Sequence, residues 1–233
     1  MEIMLRTLRE GLPQLGIQLE EDKINTLCQF GCGVVKQNEV MNLTAITESA
    51  QVAKLHLLDS LSLLAVADLK GKKLIDVGCG AGFPGVPVTI ACPDVKLTLL
   101  DSLGKRMAWL ERYLPELGVD AECVTARAEE AVAKYRESYD FATSRAVARL
   151  NILLELTAPY VRVGGTVLAR KGAAAKEELL EAKSAISKLG LKLEKVGEFP
   201  GADGTHVVIV LKKIAHTPPQ YPRRYAKIKQ APL

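Results

Sequence analysis

Apolar positions along the chain follow two rhythms. Over residues 1–69 they recur at three-and-four spacing, most clearly at Ile24, Leu27, Cys28, Gly31, Val34 and Val35, which places them on one helix face. Thr47, followed by Glu48, predicts the cap of a further helix carrying Val52, Leu55, Leu63 and Val66. A polar link, Asn38 to Thr47, joins the two. From Lys72 onward short apolar runs take over: Leu74–Val77, Leu97–Leu100, Glu122–Thr125, Tyr139–Ala142 and Thr166–Ala169. Helical stretches separate them, among them Lys105–Leu117 and Lys176–Leu189. Strands alternating with helices predict an α/β fold with a doubly wound, mostly parallel sheet. Leu191–Val196 and His206–Leu211 predict an antiparallel pair that completes seven strands. The expected organisation is a helical N-terminal region (1–69), a Rossmann-like domain (70–212) and a tail (213–233), whose Pro218, Pro219 and Pro222 resist regular structure.

Composition narrows the class. With 233 residues, 48% hydrophobic and 25% charged, the chain can bury a core unaided, and wholesale disorder is excluded. Aromatics are 5%, too few for a protein built on base-stacking platforms. The net charge of +4 conceals an asymmetry. From Leu211 onward stand Lys212, Lys213, Arg223, Arg224, Lys227 and Lys229 with no acid, while the other 210 residues carry 25 basic against 27 acidic side chains. A cationic tail on a near-neutral body fits a polyanionic partner, and equally a solvated tail without one. Five cysteines without framework spacing read as thiols, with no metal site. No signal peptide and no apolar run of membrane-spanning length (about 20 residues) is evident, so the expected location is cytoplasmic, away from membranes.

The first strand of the second rhythm runs into Gly78-Cys79-Gly80-Ala81-Gly82-Phe83-Pro84-Gly85. Glycines at Gly78, Gly80 and Gly82 allow a sharp turn and close backbone approach to a ligand. Phe83 stands where the dinucleotide fingerprint requires glycine, which argues against a nicotinamide dehydrogenase. The second strand ends at Asp101, suitably placed to accept hydrogen bonds from ribose hydroxyls. Loop, acid and alternation together resemble the S-adenosylmethionine site of class I methyltransferases.

The resemblance extends further. Asn42-Leu43-Thr44-Ala45-Ile46, His56-x-x-Asp59-Ser60-Leu61 and Asp76 to Gly85 are followed in order by Ala128-Glu129-Glu130, Ser144-Arg145-Ala146, Gly164-Gly165, Lys171-Gly172 and Tyr221-Pro222-Arg223-Arg224. This series is similar to the ribosomal small-subunit methyltransferase G family, formerly glucose-inhibited division protein B. The resemblance implies methyl transfer from S-adenosylmethionine to N7 of a guanine in the 530 loop of 16S ribosomal RNA, by a monomer acting on the RNA or the small subunit. It implies that Gly78 and Phe83 line the methionine and sulfonium end, that Gly80 belongs to the same cofactor site, that Asp101 holds the ribose, that Ala128 and Glu129 frame the adenine, and that Arg145 touches the cofactor. S-adenosylhomocysteine is the implied product.

The side chains agree with such a target. Methylating a pyrimidine C5 needs a cysteine nucleophile, and no cysteine follows the fourth or fifth strand. Amine methylation usually goes with an Asn/Asp-Pro-Pro-aromatic turn, whereas Thr143-Ser144-Arg145-Ala146 stands there. Guanine N7 carries an in-plane lone pair and no proton, so no general base is needed and no catalytic residue is assigned. Methylation of a small molecule or protein, or cofactor binding without catalysis, are the rival readings. His56 and Asp59 read either as a catalytic pair or as a contact seating the N-terminal region on the sheet. Asn38, Asn42 and Thr44 read either as a loop touching the target base or as a turn cluster. Arg170 and Lys171, after the fifth strand, and Arg223 and Arg224, in the tail, are expected to contact RNA.

Overall fold

The computed structural model describes residues 1–145, 148–201 and 204–233, so Ala146 of the fourth-strand motif lies outside the described residues. Seven strands form one sheet: β1 (Lys73–Val77), β2 (Lys96–Asp101), β3 (Ala121–Thr125), β4 (Tyr139–Arg145), β5 (Val161–Lys171), β6 (Leu191–Gly201) and β7 (Gly204–Lys213). Their order is β3-β2-β1-β4-β5-β7-β6. β1 to β5 pair in parallel, and β7 inserts antiparallel between β5 and β6. The order reverses between β1 and β4, which opens a crevice at the carboxyl ends of those strands, where ligands bind in such sheets.

The helices are α1 (Glu2–Gly11), α2 (Glu21–Asn38), α3 (Ser49–Val52), α4 (Asp59–Leu61), α5 (Gly85–Ala91), α6 (Gly104–Tyr113), α7 (Ala128–Tyr135), α8 (Leu150–Thr157), α9 (Ala175–Glu181), α10 (Lys183–Lys188) and α11 (Tyr225–Gln230). A wider π-helical stretch, Ala53–Leu58, joins α3 to α4. Side chains alternate across the strands and divide the core in two. Leu74, Leu97, Leu99, Leu168, Val208 and Val210 face one layer; Ile75, Val77, Leu100, Val167, Ala169, Ile209 and Leu211 face the other.

The N-terminal helices have no separate core. Met4, Leu8, Leu27, Phe30 and Leu57 are buried in the same cluster as Leu74 and Leu97. Each such side chain contributes about 1.5–3 kcal/mol relative to exposure. Residues 1–69 therefore cover one face of the sheet, and α8 and α10 cover the other.

Three details differ from the sequence expectation. The N-cap of α3 is Glu48, not Thr47: its carboxylate accepts the Ala50 and Gln51 amides at 3.0 and 2.8 Å. The helix expected over Lys176–Leu189 breaks at Ala182 into α9 and α10. The tail is folded. β7 runs on to Lys213, whose buried ammonium donates to Ala158 O (2.8 Å), Val161 O (3.1 Å) and Thr217 Oγ1 (2.7 Å). Beyond the prolines α11 forms beside α8 and buries Ile228.

Candidate functional site

A cavity of about 600 Å³ lies at the carboxyl ends of β1, β2 and β4. Gly78, Gly80 and Gly82 turn the chain there with φ of 72°, 58° and 95°, a region costly for side chains. At Gly82 a Cβ would also sit 2.8 Å from Val86 Cγ2. Asp101 holds the turn in place: Oδ2 accepts the Gly80 amide and Oδ1 the Leu103 amide, both at 2.9 Å. A carboxylate has about four acceptor positions, so it shapes the loop and retains capacity for hydroxyls in the cavity. Ala126 to Glu129 continue the lining, with Arg127 Nη1 3.8 Å from Glu129 Oε1.

Asp76, behind the loop, is fully buried; Oδ2 accepts the Gly85 amide at 2.8 Å and Oδ1 has no partner among the described residues. Burial pushes it up to about 7, partly offset by that amide. Cys79 lines the cavity, but burial raises its thiol well above the usual range, so it stays protonated and is a poor nucleophile.

The remainder of the lining comes from Leu43, Thr44, His56, Phe83 and Arg145. The Phe83 ring packs on His56 (4.8 Å between centroids) and Phe30 (5.2 Å), with the Arg145 guanidinium 5.0 Å from its centroid. Arg145 Nη1 donates to Leu55 O at 2.9 Å and stands 3.1 Å from His56 Nδ1 and 3.4 Å from Asp59 Oδ2. Burial and then the Arg145 charge push His56 down to about 4.

Asp59 is an internal hub rather than a partner of His56. Its carboxylate accepts from Arg170 through Nε and Nη2, and from His206 Nδ1 at 2.8 Å. Burial favours its neutral form, but the His206 hydrogen bond and the Arg170 and Arg145 charges prevail and lower its pKa. It seats the N-terminal region on β4, β5 and β7.

The expected RNA contacts sort unevenly. Arg170 and Lys171 are engaged internally: Arg170 pairs with Asp59, and Lys171, 6% exposed, pairs with Glu178 at 2.8 Å. Arg223 likewise turns inward, its Nε and Nη2 gripping the fully buried Glu155 at 2.8 and 2.6 Å. Arg224 remains exposed beside Arg127 and Lys229 along a shallow cleft. Asn38 Oδ1 accepts the Leu43 and Thr44 amides at 2.7 and 2.9 Å, the turn-cluster role, while Thr44 reaches the cavity as well. Asn42 is exposed, and its carbonyl accepts from Arg106 at 2.9 Å. Tyr225, at the start of α11, and Arg106 line the cavity without having been singled out. For Tyr225 the only sequence signal was an aromatic ring just past the Pro222-Arg223-Arg224 run.

Among the described residues, no cluster of His, Cys, Asp and Glu is arranged to hold a metal, and no helix is long and apolar enough to cross a membrane. Solved structures with the same architecture include a methyltransferase-like protein of Bacillus halodurans (TM-score 0.56, 14% identity, 67% of this chain and 99% of that one). Another is M. jannaschii TYW2 in complex with AdoMet (TM-score 0.52, 16% identity, 64% and 72%). These likenesses fix the class I methyltransferase fold. In sequence, the chain is 44% identical to ribosomal RNA small subunit methyltransferase G of Alkaliphilus oremlandii and 42% identical to that of Alkaliphilus metalliredigens, each over 97% of both chains. A profile described as rRNA small subunit methyltransferase G matches residues 23–207. By that match, and by relatives aligned over nearly their whole length, this chain belongs to the rRNA small subunit methyltransferase G family.

Proposed function

We propose that the protein transfers the methyl group of S-adenosylmethionine to N7 of a guanine in the 530 loop of 16S ribosomal RNA. Family membership supplies the coarser statement, methylation of small-subunit ribosomal RNA. The cavity's donor set fits the cofactor. The glycine turn lets backbone approach closely, the Asp101 carboxylate keeps acceptor positions for ribose hydroxyls, and Ala128 with Glu129 bounds the space beside it. Phe83 and Arg145 stand where the sulfonium end would lie in this reading. Bound there, S-adenosylmethionine supplies an electrophilic methyl group.

The observation that carries the N7 assignment is the engagement of the carboxylates and the imidazole that line the cavity. Both oxygens of Asp101 accept backbone amides. Both ring nitrogens of His56 have partners, and the ring is pushed down to about 4. Glu129 faces Arg127. An acceptor with its own lone pair needs none of them. Orientation then carries the reaction, and well-oriented reactants can gain roughly 7–11 kcal/mol. Arg224, Lys227, Lys229 and Arg127 are the cations exposed to a backbone.

The test uses radiolabelled S-adenosylmethionine with 16S RNA and small subunits from cells lacking the gene, followed by cleavage at 7-methylguanosine. One mapped N7 site is expected. Confirmed cofactor binding without incorporation would remove the RNA reading and bring forward a different substrate.

A further inference from the structure

The arginine side of the cavity also fixes the position of a proton. Arg145 Nη1 lies 2.9 Å from Leu55 O and 3.1 Å from His56 Nδ1. A guanidinium only donates. Set against that donor, Nδ1 is assigned the lone pair, and the single proton of the neutral imidazole is assigned to Nε2. The 3.0 Å approach of Nδ1 to Leu55 O is then two acceptors facing one guanidinium nitrogen, whose two hydrogens are shared with the more distant Asp59 Oδ2 at 3.4 Å. Nε2–H donates to Thr44 Oγ1 at 2.8 Å, and the Ile46 amide donates to the same oxygen at 3.0 Å. A hydroxyl has two lone pairs and one proton. Both lone pairs are occupied, so the O–H is left over, and it meets no acceptor among the described residues. Thr44 lines the cavity with His56, Phe83 and Arg145.

We propose that Thr44 reads the target purine, its hydroxyl proton, directed outward by the Arg145–His56 arrangement, donating to O6 of guanine. The inference rests on the N7 reading above. On that edge guanine offers two acceptors, N7 and O6, whereas adenine offers N7 and an amine donor. N7 must keep its lone pair for the methyl group, so O6 is the acceptor that remains. A hydroxyl locked as a donor accepts guanine and opposes the adenine amine. Had Nδ1 carried the proton, Thr44 would donate to His56 and present a lone pair instead, which would favour the wrong base. Arg145 and His56 are thus positioning residues for Thr44.

The test compares 16S RNAs assembled with guanine or 2-aminopurine at the target position; 2-aminopurine keeps N7 and the 2-amino group and lacks O6. For the wild-type protein kcat/KM should fall about tenfold on 2-aminopurine, the effect of leaving one donor unpaired. Thr44→Ser should keep that ratio. Thr44→Val should lose about tenfold on guanine and bring the ratio near one, with cofactor affinity by calorimetry unchanged within twofold. Equal wild-type rates on the two RNAs would overturn the proposal without recourse to any variant, and so would an undiminished ratio in Thr44→Val. Nitrogen-15 spectra placing the His56 proton on Nδ1 would overturn it as well. If the wild-type protein binds cofactor but forms no 7-methyl product on guanine RNA, the N7 reading itself fails and takes this inference with it.

Discussion

The cavity has two sides that are held by different forces. On the loop side, Gly78, Gly80 and Asp101 stand at the ends of adjacent strands, and their fixings are backbone amides donating to one carboxylate. On the arginine side, Thr44, His56, Phe83 and Arg145 come from the N-terminal loop and helices, the glycine turn and β4. Their fixings are long-range: Asp59 reaches 111 positions to Arg170 and 147 to His206, and Leu55 reaches 90 to Arg145. The loop side inherits rigidity from the sheet ladder. The arginine side depends on a buried charge cluster, a costly arrangement that holds only while every partner is present. On the proposed reading, the ribose grip of Asp101 and the base contact of Thr44 are therefore separable by mutation.

Asp59→Asn is the severest way to break the arginine side. It keeps the volume but leaves Arg170 and Arg145 facing an amide. Breaking a buried pair costs about 3–5 kcal/mol, readable by denaturant unfolding at pH 7. The pH dependence has a definite sign. Asp59 is lowered in the folded protein, so its contribution is complete above the unfolded carboxylate value of about 3.9 and disappears as pH falls through the lower folded value. The gap between wild type and variant should narrow as pH drops below about 4. A loss under about 1 kcal/mol at pH 7, the scale of an exposed pair, would mean that the cluster does not hold the helices to the sheet.

Asp101→Ala strikes the loop side. It removes the acceptor of two amides and the ribose partner together, so cofactor affinity should fall by about 2–4 kcal/mol, taking roughly 1.5–3 per charged hydrogen bond with partial compensation. RNA affinity should stay within a few-fold of wild type, because the Arg224 face is untouched. Titration calorimetry with cofactor alone decides the matter. Unchanged cofactor affinity would reduce Asp101 to a cap of the loop.

The same division governs what the chain discloses when read in order. Strand alternation, the glycine turn and the acid at the end of β2 are local patterns, and the sheet with its cavity is where they place it. Asp59 reads ambiguously as half of a His56 pair because its partners lie far along the chain, and only the strand order β4-β5-β7 brings Arg145, Arg170 and His206 to one point. Arg170, Lys171 and Arg223 read as free cations for a similar reason. Charge is visible in sequence, but the carboxylates that consume it, buried Asp59 and Glu155 and half-buried Glu178, are a property of packing. Lys213 carries the lesson furthest: in a run of tail cations it is fully enclosed, because the Ala158 and Val161 carbonyls, the Thr217 hydroxyl and the Glu137 carboxylate converge on it.

The smallest effect gives the sharpest separation, since it lies between neighbours. Arg223 and Arg224 are adjacent and identical in charge, yet one is 18% exposed and clamped to Glu155 while the other faces solvent. If exposure decides which tail cations meet phosphate, Arg224→Ala should reduce the slope of log affinity against log salt by about 0.7–0.9, one released counterion. Arg223→Ala should leave that slope unchanged and instead lower stability, because Glu155 loses its one cation partner among the described residues. Binding of 16S RNA measured across a salt series, with unfolding of both variants alongside, reads the two quantities independently. Equal slope changes would mean that Arg223 leaves Glu155 when RNA arrives. The tail would then exchange an internal carboxylate for a phosphate on binding, and the boundary between structural and RNA-facing cations would move with the ligand rather than being built into the fold.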